Sequence, residues 1–438
     1  MQNGKHEQTD VIVAGGGLAG LISATLIARG GRSVTLFERS STLGGRGVTN
    51  KLGDFEFNLG PHAVYRKGAL AQVLREIGVA YTGKAPPNDG YAINGGALHS
   101  VGLSPKWFLT TKLIGSKTEL FRLFMRIRSM DTTKFAGLSI GQWLESEVRD
   151  PGVRALVTGL LRVATYANNL DLDASIALSQ MQMAQSGVLY LDHGWQTIVD
   201  GLRAAAEAAG VRIETNAPVE AVEHDGTARG VRLKDGRTIA AGAVVLAVTP
   251  DIAATLVDAP ALRDFAREAV PVRAACLDIG LRKLPMPERG LAFGLDTPLY
   301  YSVHSRIAKL APEGGAAIHV AKYLAPGDTD AKAHEQQLEA CMDLVQPGWR
   351  DELVQRRYLP NMTVVPFTAT AALGGLNARP KVDGTGIENL YLAGDWIGSA
   401  GWLSDGSAAS AKLAAGLVLQ KAPARTSTPI AAPAAPRS

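Results

Sequence analysis

The chain has 438 residues, 46% of them hydrophobic and 20% charged, with a formal net charge of +4. That length exceeds one compact core and implies two domains, while so small a charge excess, with no dense basic run, argues against a nucleic-acid partner. Cys276 and Cys341 are the only cysteines, so neither a metal centre nor a disulfide framework is expected, and reduced thiols fit a cytoplasmic location. The first nine residues lack an apolar signal core, and no stretch approaches the roughly 20 apolar residues that span a bilayer.

The first element is an apolar strand, Val11–Ala14, running into Gly15-Gly16-Gly17-Leu18-Ala19-Gly20, a G-x-G-x-x-G pattern that opens a helix over Leu18–Arg29. Gly15 permits the tight turn, Gly17 lets the backbone approach a pyrophosphate, and Gly20 lets helix and strand pack closely. The helix N-terminus adds amide donors and the positive end of its dipole. A second strand, Ser33–Glu38, puts Glu38 at the roughly 20-residue offset of a carboxylate that accepts hydrogen bonds from an adenosine ribose. This context predicts dinucleotide binding, and an acid at that point suits FAD or NAD better than NADP. Gly44-Gly45-Arg46 follows, a guanidinium on a flexible turn within reach of pyrophosphate or ribose.

From Tyr65 to Gln185 the pattern reads as largely helical, with few strand signals. Ser104 to Met130 carries Lys106, Lys112, Lys117, Arg122, Arg126 and Arg128 against the single acid Glu119. Leu113, Leu120, Leu123, Phe124, Ile127 and Met130 recur there at helical spacing. Such a basic amphipathic helix either lies on an anionic membrane or turns its stripe to the core. Arg162–Asn169 concentrates polar groups, of which Tyr166 and Asn168 are candidates to line a cavity, and His62 and His193 are candidates for proton transfer. Beyond Gly187 come a helix at Gly201–Ala209 and strands at Val211–Thr215, Val219–Val222, Ala228–Leu233 and Ala243–Val248. After Pro271, strands are expected at Ala274–Leu281, Tyr300–His304 and Ala316–Tyr323, with a helix at Ala331–Val345. A final strand, Leu390-Tyr-Leu-Ala-Gly394-Asp395, aims its aspartate at a polyol or phosphate. It precedes a helix near Ser407–Gln420 for which Ser404 and Asp405 are the natural caps.

The G-x-G-x-x-G with Glu38, the Gly44-Gly45-Arg46 turn and the C-terminal Leu392-Ala393-Gly394-Asp395 with its small-residue helix together resemble the flavin-dependent amine oxidase and phytoene desaturase superfamily. Gly60-Pro61-His62, Gly187 through Gly194, Ala217-Pro218-Val219, Val248-Thr249-Pro250 and Ala378-Arg379-Pro380 are similar too, so the likeness spans almost the whole chain except its ends. It implies an α/β architecture: a Rossmann-like FAD domain formed by 1–65, 187–268 and 362–420. A substrate domain of helices and a mixed sheet would come from 66–186 and 269–361, and 421–438, rich in Pro, Ala and Ser, would be a disordered tail.

The resemblance further implies an extended, noncovalent FAD, since no cysteine lies near residue 395. Gly15, Gly17, Leu18, Ala19 and Gly20 would meet its pyrophosphate, Glu38 with Arg39 the adenosine ribose, and the Val219 backbone the adenine. Gly45 and Arg46 would lie by the phosphates or flavin, Gly394 and Asp395 at the pyrophosphate–ribityl region, and Trp402 and Leu403 by the isoalloxazine, with Gly60, Pro61 and His62 as further cofactor-binding candidates. Tyr166 and His62 are the catalytic candidates, and Lys322 is matched to the flavin-side lysine of some amine oxidases by position only. The implied reaction is removal of a hydride and a proton from a hydrophobic substrate of isoprenoid or polyunsaturated type, with O2 or a quinone among the possible acceptors. Amine or protoporphyrinogen-type oxidation with O2 is the alternative, and a noncatalytic prenyl-binding escort the remote one. Cys276-Leu-Asp-Ile-Gly280-Leu281 resembles the strand of desaturase-like members more than that of amine oxidases.

Overall fold

The computed structural model describes residues 8–87, 89–102 and 105–421. Its first sheet has seven strands. Gln8–Ala14 lies at the centre, with Val34–Phe37 and then Arg212–Glu214 parallel to it on one side and Thr238–Leu246 parallel on the other. Beyond Thr238–Leu246 come Ala228–Leu233 and Val219–His224 as an antiparallel extension, and the short strand Leu390–Leu392 pairs in parallel with Val244–Leu246. The near-continuous apolar runs of the central strands reflect burial on both faces, as parallel sheets require. Helix Leu18–Arg29 packs against the last helix, Leu403–Lys421, where Ser23 Oγ donates to the Ala411 carbonyl. The small residues of the last helix allow that close approach.

A second seven-stranded sheet runs in the order Leu353–Val365, Val272–Leu281, Ala316–Leu324, Leu299–Val303, Leu291–Gly294, Gly90–Asn94 and Ala97–Val101. All of its pairings are antiparallel except that of Leu291–Gly294 with Gly90–Asn94. Helix Pro151–Thr165 packs beside it, Ala174–Gln185 packs on that helix, and Ala331–Val345 packs across the sheet's strands.

The structure corrects several expectations. Tyr65–Gln185 is largely helical as expected, but it also contains the hairpin Gly90–Asn94/Ala97–Val101, which the spacing does not mark. Its turn is Gly95-Gly96, both at positive φ (57° and 71°), a glycine pair of the kind that marks a tight hairpin. Strand Leu353–Val365, for which no strand is expected, contains Pro360 and lies at the sheet edge, where proline leaves no ladder bond unmade. The basic segment is two helices, Pro105–Thr110 and Lys117–Ser129, rather than one. The stripe Leu120, Leu123 and Ile127 faces the core. The tail from residue 422 onward and Ser104 lie outside the described residues. Lys421 ends the last helix.

Candidate functional site

One cavity of about 1350 Å³ runs from the glycine turn to the second sheet. At its start, Gly15 holds φ at +107°, and the close packing of Gly20 on the turn carries the helix away from the strand. A Cβ on Gly20 would lie 1.9 Å from the Gly15 carbonyl oxygen, whereas one on Gly17 would meet no atom within 4 Å. Glu38 turns its carboxylate back to the turn, with Oε2 accepting from the Gly16 amide at 2.6 Å and Oε1 from the Ser40 amide at 2.8 Å. Val219 and Arg39 line the same end.

The two distant glycine motifs meet in the middle of the cavity. Gly44 N–H donates to the Gly16 carbonyl, which seats the Gly45–Gly47 turn beside the first motif. Arg46 donates two parallel hydrogen bonds to Asp395, Nη1 to Oδ2 at 2.7 Å and Nη2 to Oδ1 at 2.6 Å, and a third to the Val364 carbonyl at 2.6 Å. This is the planar fork that arginine offers a carboxylate. The turn carrying Asp395 is fixed from behind, with Gly394 N–H donating to Ser410 Oγ and the Trp396 indole N–H to the Val248 carbonyl.

At the far end, strands of the second sheet contribute Ala274, Ala321, Leu359 and Met362, joined by Pro61, His62, Tyr65 and Tyr166. Tyr166 ends helix Pro151–Thr165 in a left-handed conformation (φ 60°) and donates its hydroxyl to the Pro61 carbonyl at 2.9 Å. Burial pushes its phenol well above the ordinary value, so it stays neutral. The His62 ring lies edge-on to Trp195, with Nδ1 2.9 Å from the Gly60 carbonyl oxygen and Nε2 3.2 Å from that of Arg46. Burial lowers its pKa to about 4, so it is uncharged at neutral pH and a weak base. Both catalytic candidates therefore offer hydrogen bonds rather than charge.

Behind Tyr166, beneath the residues that line the cavity, lies a succession of buried rings. Tyr166 meets Tyr323 (5.9 Å between ring centroids), Tyr323 meets Tyr300 (6.5 Å), and Tyr300 hydroxyl lies 3.1 Å from that of Tyr190. Tyr190 in turn stacks on His304 at 4.0 Å, and His304 sits edge-on to His319 at 4.7 Å. His319 Nδ1 is 2.5 Å from Asp278, whose other oxygen accepts from Arg357 Nε and Nη2 at 2.8 and 2.6 Å. Burial works to raise the Asp278 carboxyl, but His319 and Arg357 hold it below the usual range. Cys276 lies close enough for its sulfur, an Asp278 oxygen and a His319 nitrogen to fall within 4.8 Å of one another. With Arg357 already on Asp278 and bonded onward to Asn50 and the Asn58 carbonyl, the cluster acts as a clasp between the second sheet and the hairpin Thr49–Leu52/Phe55–Asn58. No local spacing points to this clasp, whose members lie on strands separated by up to 307 residues.

Other candidates fall elsewhere. Gly20, inside helix Leu18–Arg29, and Gly60, at a bend, do not line the cavity, and Trp402 is buried beside it, its indole N–H donating to the Thr165 carbonyl. Leu403 lines it at the first residue of the last helix. Asn168 accepts from Arg162, His193 reaches Glu56, and Lys322 is ion-paired with Asp328 at 3.0 Å, all off the cavity.

Because the last helix starts at Leu403, Ser404 and Asp405 lie inside it and do not cap it. Asp405 instead caps the helix Ala69–Ile77, accepting from Leu70 N–H at 2.8 Å where the N-cap residue Gly68 has no side chain. Burial raises its pKa to about 6. A carboxyl with a folded pKa above its unfolded value stabilises fully below about pH 4 and loses that contribution as pH rises through 6. We expect Asp405→Asn to be more stable than the parent at pH 7, by about 2 kcal/mol, with the gap closing at pH 4. Urea melts at both pH values measure it, and a pH-independent gap would contradict the assignment.

Comparison with known proteins gives the family and the fold. The sequence profile of the family "Flavin containing amine oxidoreductase" matches residues 18–276, and that of "FAD dependent oxidoreductase" matches residues 152–417. A 4,4'-diapolycopen-4-al dehydrogenase of Metabacillus indicus is 24% identical over 284 residues, 54% of this chain and 55% of that protein. A probable flavin-containing monoamine oxidase A of Dictyostelium discoideum is 23% identical over 293 residues, 60% of this chain and 63% of that protein. The chain thus spans between half and two thirds of the length of these curated relatives. Among solved structures, an oxidoreductase from Methanosarcina mazei superposes with a TM-score of 0.75 at 19% identity, covering 92% of this chain and 99% of that one. An engineered putrescine oxidase gives 0.74 at 17% identity, covering 95% and 100%. At such identities the likeness is one of fold.

Proposed function

Because the chain belongs to the flavin containing amine oxidoreductase family, we propose that it is an FAD-dependent oxidoreductase that takes a hydride and a proton from a compact hydrophobic substrate. The observation that carries this reading is the single cavity joining the glycine turn and Glu38, through the Arg46–Asp395 pair, to an apolar wall of the second sheet. The residues present fit a dinucleotide: a side chain on Gly17 would point into open cavity, where a pyrophosphate would approach the helix amides. Neither cysteine lines the cavity, which supports noncovalent binding. When bound, the flavin supplies the hydride acceptor.

The protein's share is then orientation and dryness. Ala274, Ala321, Leu359 and Met362 hold an apolar body and exclude water, and Tyr166 fixes the Pro61–His62 turn. The acids lining the cavity are Glu38, Glu220, Asp251 and Asp395, none from the second sheet. The volume exceeds the roughly 300–1000 Å³ of a drug-sized ligand site but must serve cofactor and substrate together, with Tyr65 and Tyr166 lining its far end. That favours a compact substrate over an extended carotenoid. Anaerobic mixing of the FAD-loaded protein with unsaturated isoprenoid and fatty compounds, and separately with amines, tests the reading. Bleaching of the flavin band by the first group is the expected result, and bleaching by amines, with peroxide released when O2 is readmitted, would overturn it in favour of the oxidase alternative.

We place the protein's contact with its substrate pool at an anionic membrane surface. No helix among the described residues is long and apolar enough to cross a membrane. Helix Lys117–Ser129, however, leaves Phe121 and Met125 59% and 52% exposed, one turn apart on one face, with Arg122 and Arg128 beside them. Phe121→Ser/Met125→Ser should reduce co-sedimentation with phosphatidylserine vesicles several-fold without changing the melting temperature. Equal sedimentation of parent and variant would refute the contact.

A further inference from the structure

We infer that the substrate carries a carboxylate and that Arg273 receives it, an inference that rests on the oxidoreductase reading above and narrows its substrate class. Arg273 stands near the start of strand Val272–Leu281, half-buried and lining the cavity beside Ala274. Consecutive residues of a regular strand point to opposite faces. Here the register against Leu353–Val365 slips between Val272 and Arg273 and again between Ala274 and Cys276. Such bulges re-aim side chains, and both Arg273 and Ala274 consequently border the cavity.

Its charge has no partner within the described residues, where no carboxylate or carbonyl lies within hydrogen-bonding distance of the Arg273 guanidinium. Of the other cations along the cavity, Arg46 is held by Asp395, and Arg39 and Lys234 border the nucleotide end with Glu38 and Val219, away from the second-sheet wall. An unpaired guanidinium against Ala274, Met362 and Pro271 is a receptor for one anionic group attached to an apolar body. The absence of any acid from the second-sheet wall means that a cationic amine finds no counter-charge there.

Titration of the FAD-loaded chain with octanoate, octanol and octylamine separates these chemistries, read by the shift of the flavin absorption band and by the rise in melting temperature. Octanoate should bind at least about tenfold more tightly than the other two, the scale of one charge-assisted hydrogen bond. Arg273→Gln should abolish the preference and Arg273→Lys keep part of it, with flavin content unchanged in both. Equal binding of the three probes, or a preference that survives Arg273→Gln, would overturn the inference and leave Arg273 as a surface cation only. Should Arg273→Gln not fold, the parent chain titrated at high salt decides instead: the octanoate preference should be lost there, and a preference that persists would overturn the inference. A chain that takes up no FAD refutes the oxidoreductase reading instead, and the melting-temperature arm still decides the carboxylate preference.

Discussion

Gly17→Ala is expected to fold and fail to hold FAD, whereas Gly20→Ala is expected not to fold well at all. The two positions belong to one motif yet meet different surroundings. At Gly17 the backbone is extended (φ −76°, ψ −176°), which any residue adopts, and a Cβ would touch nothing in the protein. Alanine at this N-cap costs less than about 1 kcal/mol, so the melting temperature should hardly move. The added methyl stands where a pyrophosphate must close on the helix amides, and affinity should fall at least about tenfold, more than 1.4 kcal/mol. At Gly20 a Cβ would lie 1.9 Å from the Gly15 carbonyl oxygen and 3.3 Å from the Ala247 Cβ. Neither neighbour is a flexible side-chain end, so helix and sheet must part, at about 3 kcal/mol or more. Flavin content of purified protein and urea melts of the flavin-free chains distinguish the two. A Gly17→Ala chain that retains full flavin would show that the cofactor does not approach there.

What could be read from the sequence was what local spacing encodes. The strand, glycine turn and helix over Gln8–Arg29 and the offset of Glu38 depend on residues close in the chain, and they stand within a residue or two of their expected places, apart from a strand start three residues earlier. Helix Ala331–Val345 is found at its expected bounds. Arg46 and Asp395 were each legible as polar groups beside glycines, but not as partners, because a separation of 349 residues leaves no periodicity to read. The cavity wall was illegible for a further reason. Ala274, Ala321, Leu359 and Met362 are ordinary strand residues, and a pocket is an absence of packing among three strands that only the assembled sheet reveals. Asp405 misled by proximity: it sits where a cap for its own helix is expected, while the unsatisfied amide it serves is 335 residues away.

The Arg46–Asp395 pair should respond asymmetrically to its two deletions. The Asp395 side chain is 3% exposed and that of Arg46 is 41%. Asp395→Ala frees a guanidinium that water can reach and that keeps its bond to the Val364 carbonyl, so the folding cost should stay near 1–2 kcal/mol. Arg46→Ala strands a buried carboxylate, at the lower end of about 3–5 kcal/mol because the pair is only partly enclosed. Adding Asp395→Ala to Arg46→Ala should therefore restore stability, a coupling that urea melts of the four chains in a double-mutant cycle would measure. Both single variants should lose FAD, Asp395→Ala through the missing acceptor for the ribityl region and Arg46→Ala through the missing cation. Flavin retention thus falls in both while stability falls chiefly in one. If the pair only stapled the fold, flavin loss would instead track the loss of stability. An Asp395→Ala chain with unchanged flavin content, or an Arg46→Ala chain no less stable than Asp395→Ala, would contradict this account of how opposite ends of the chain close one site.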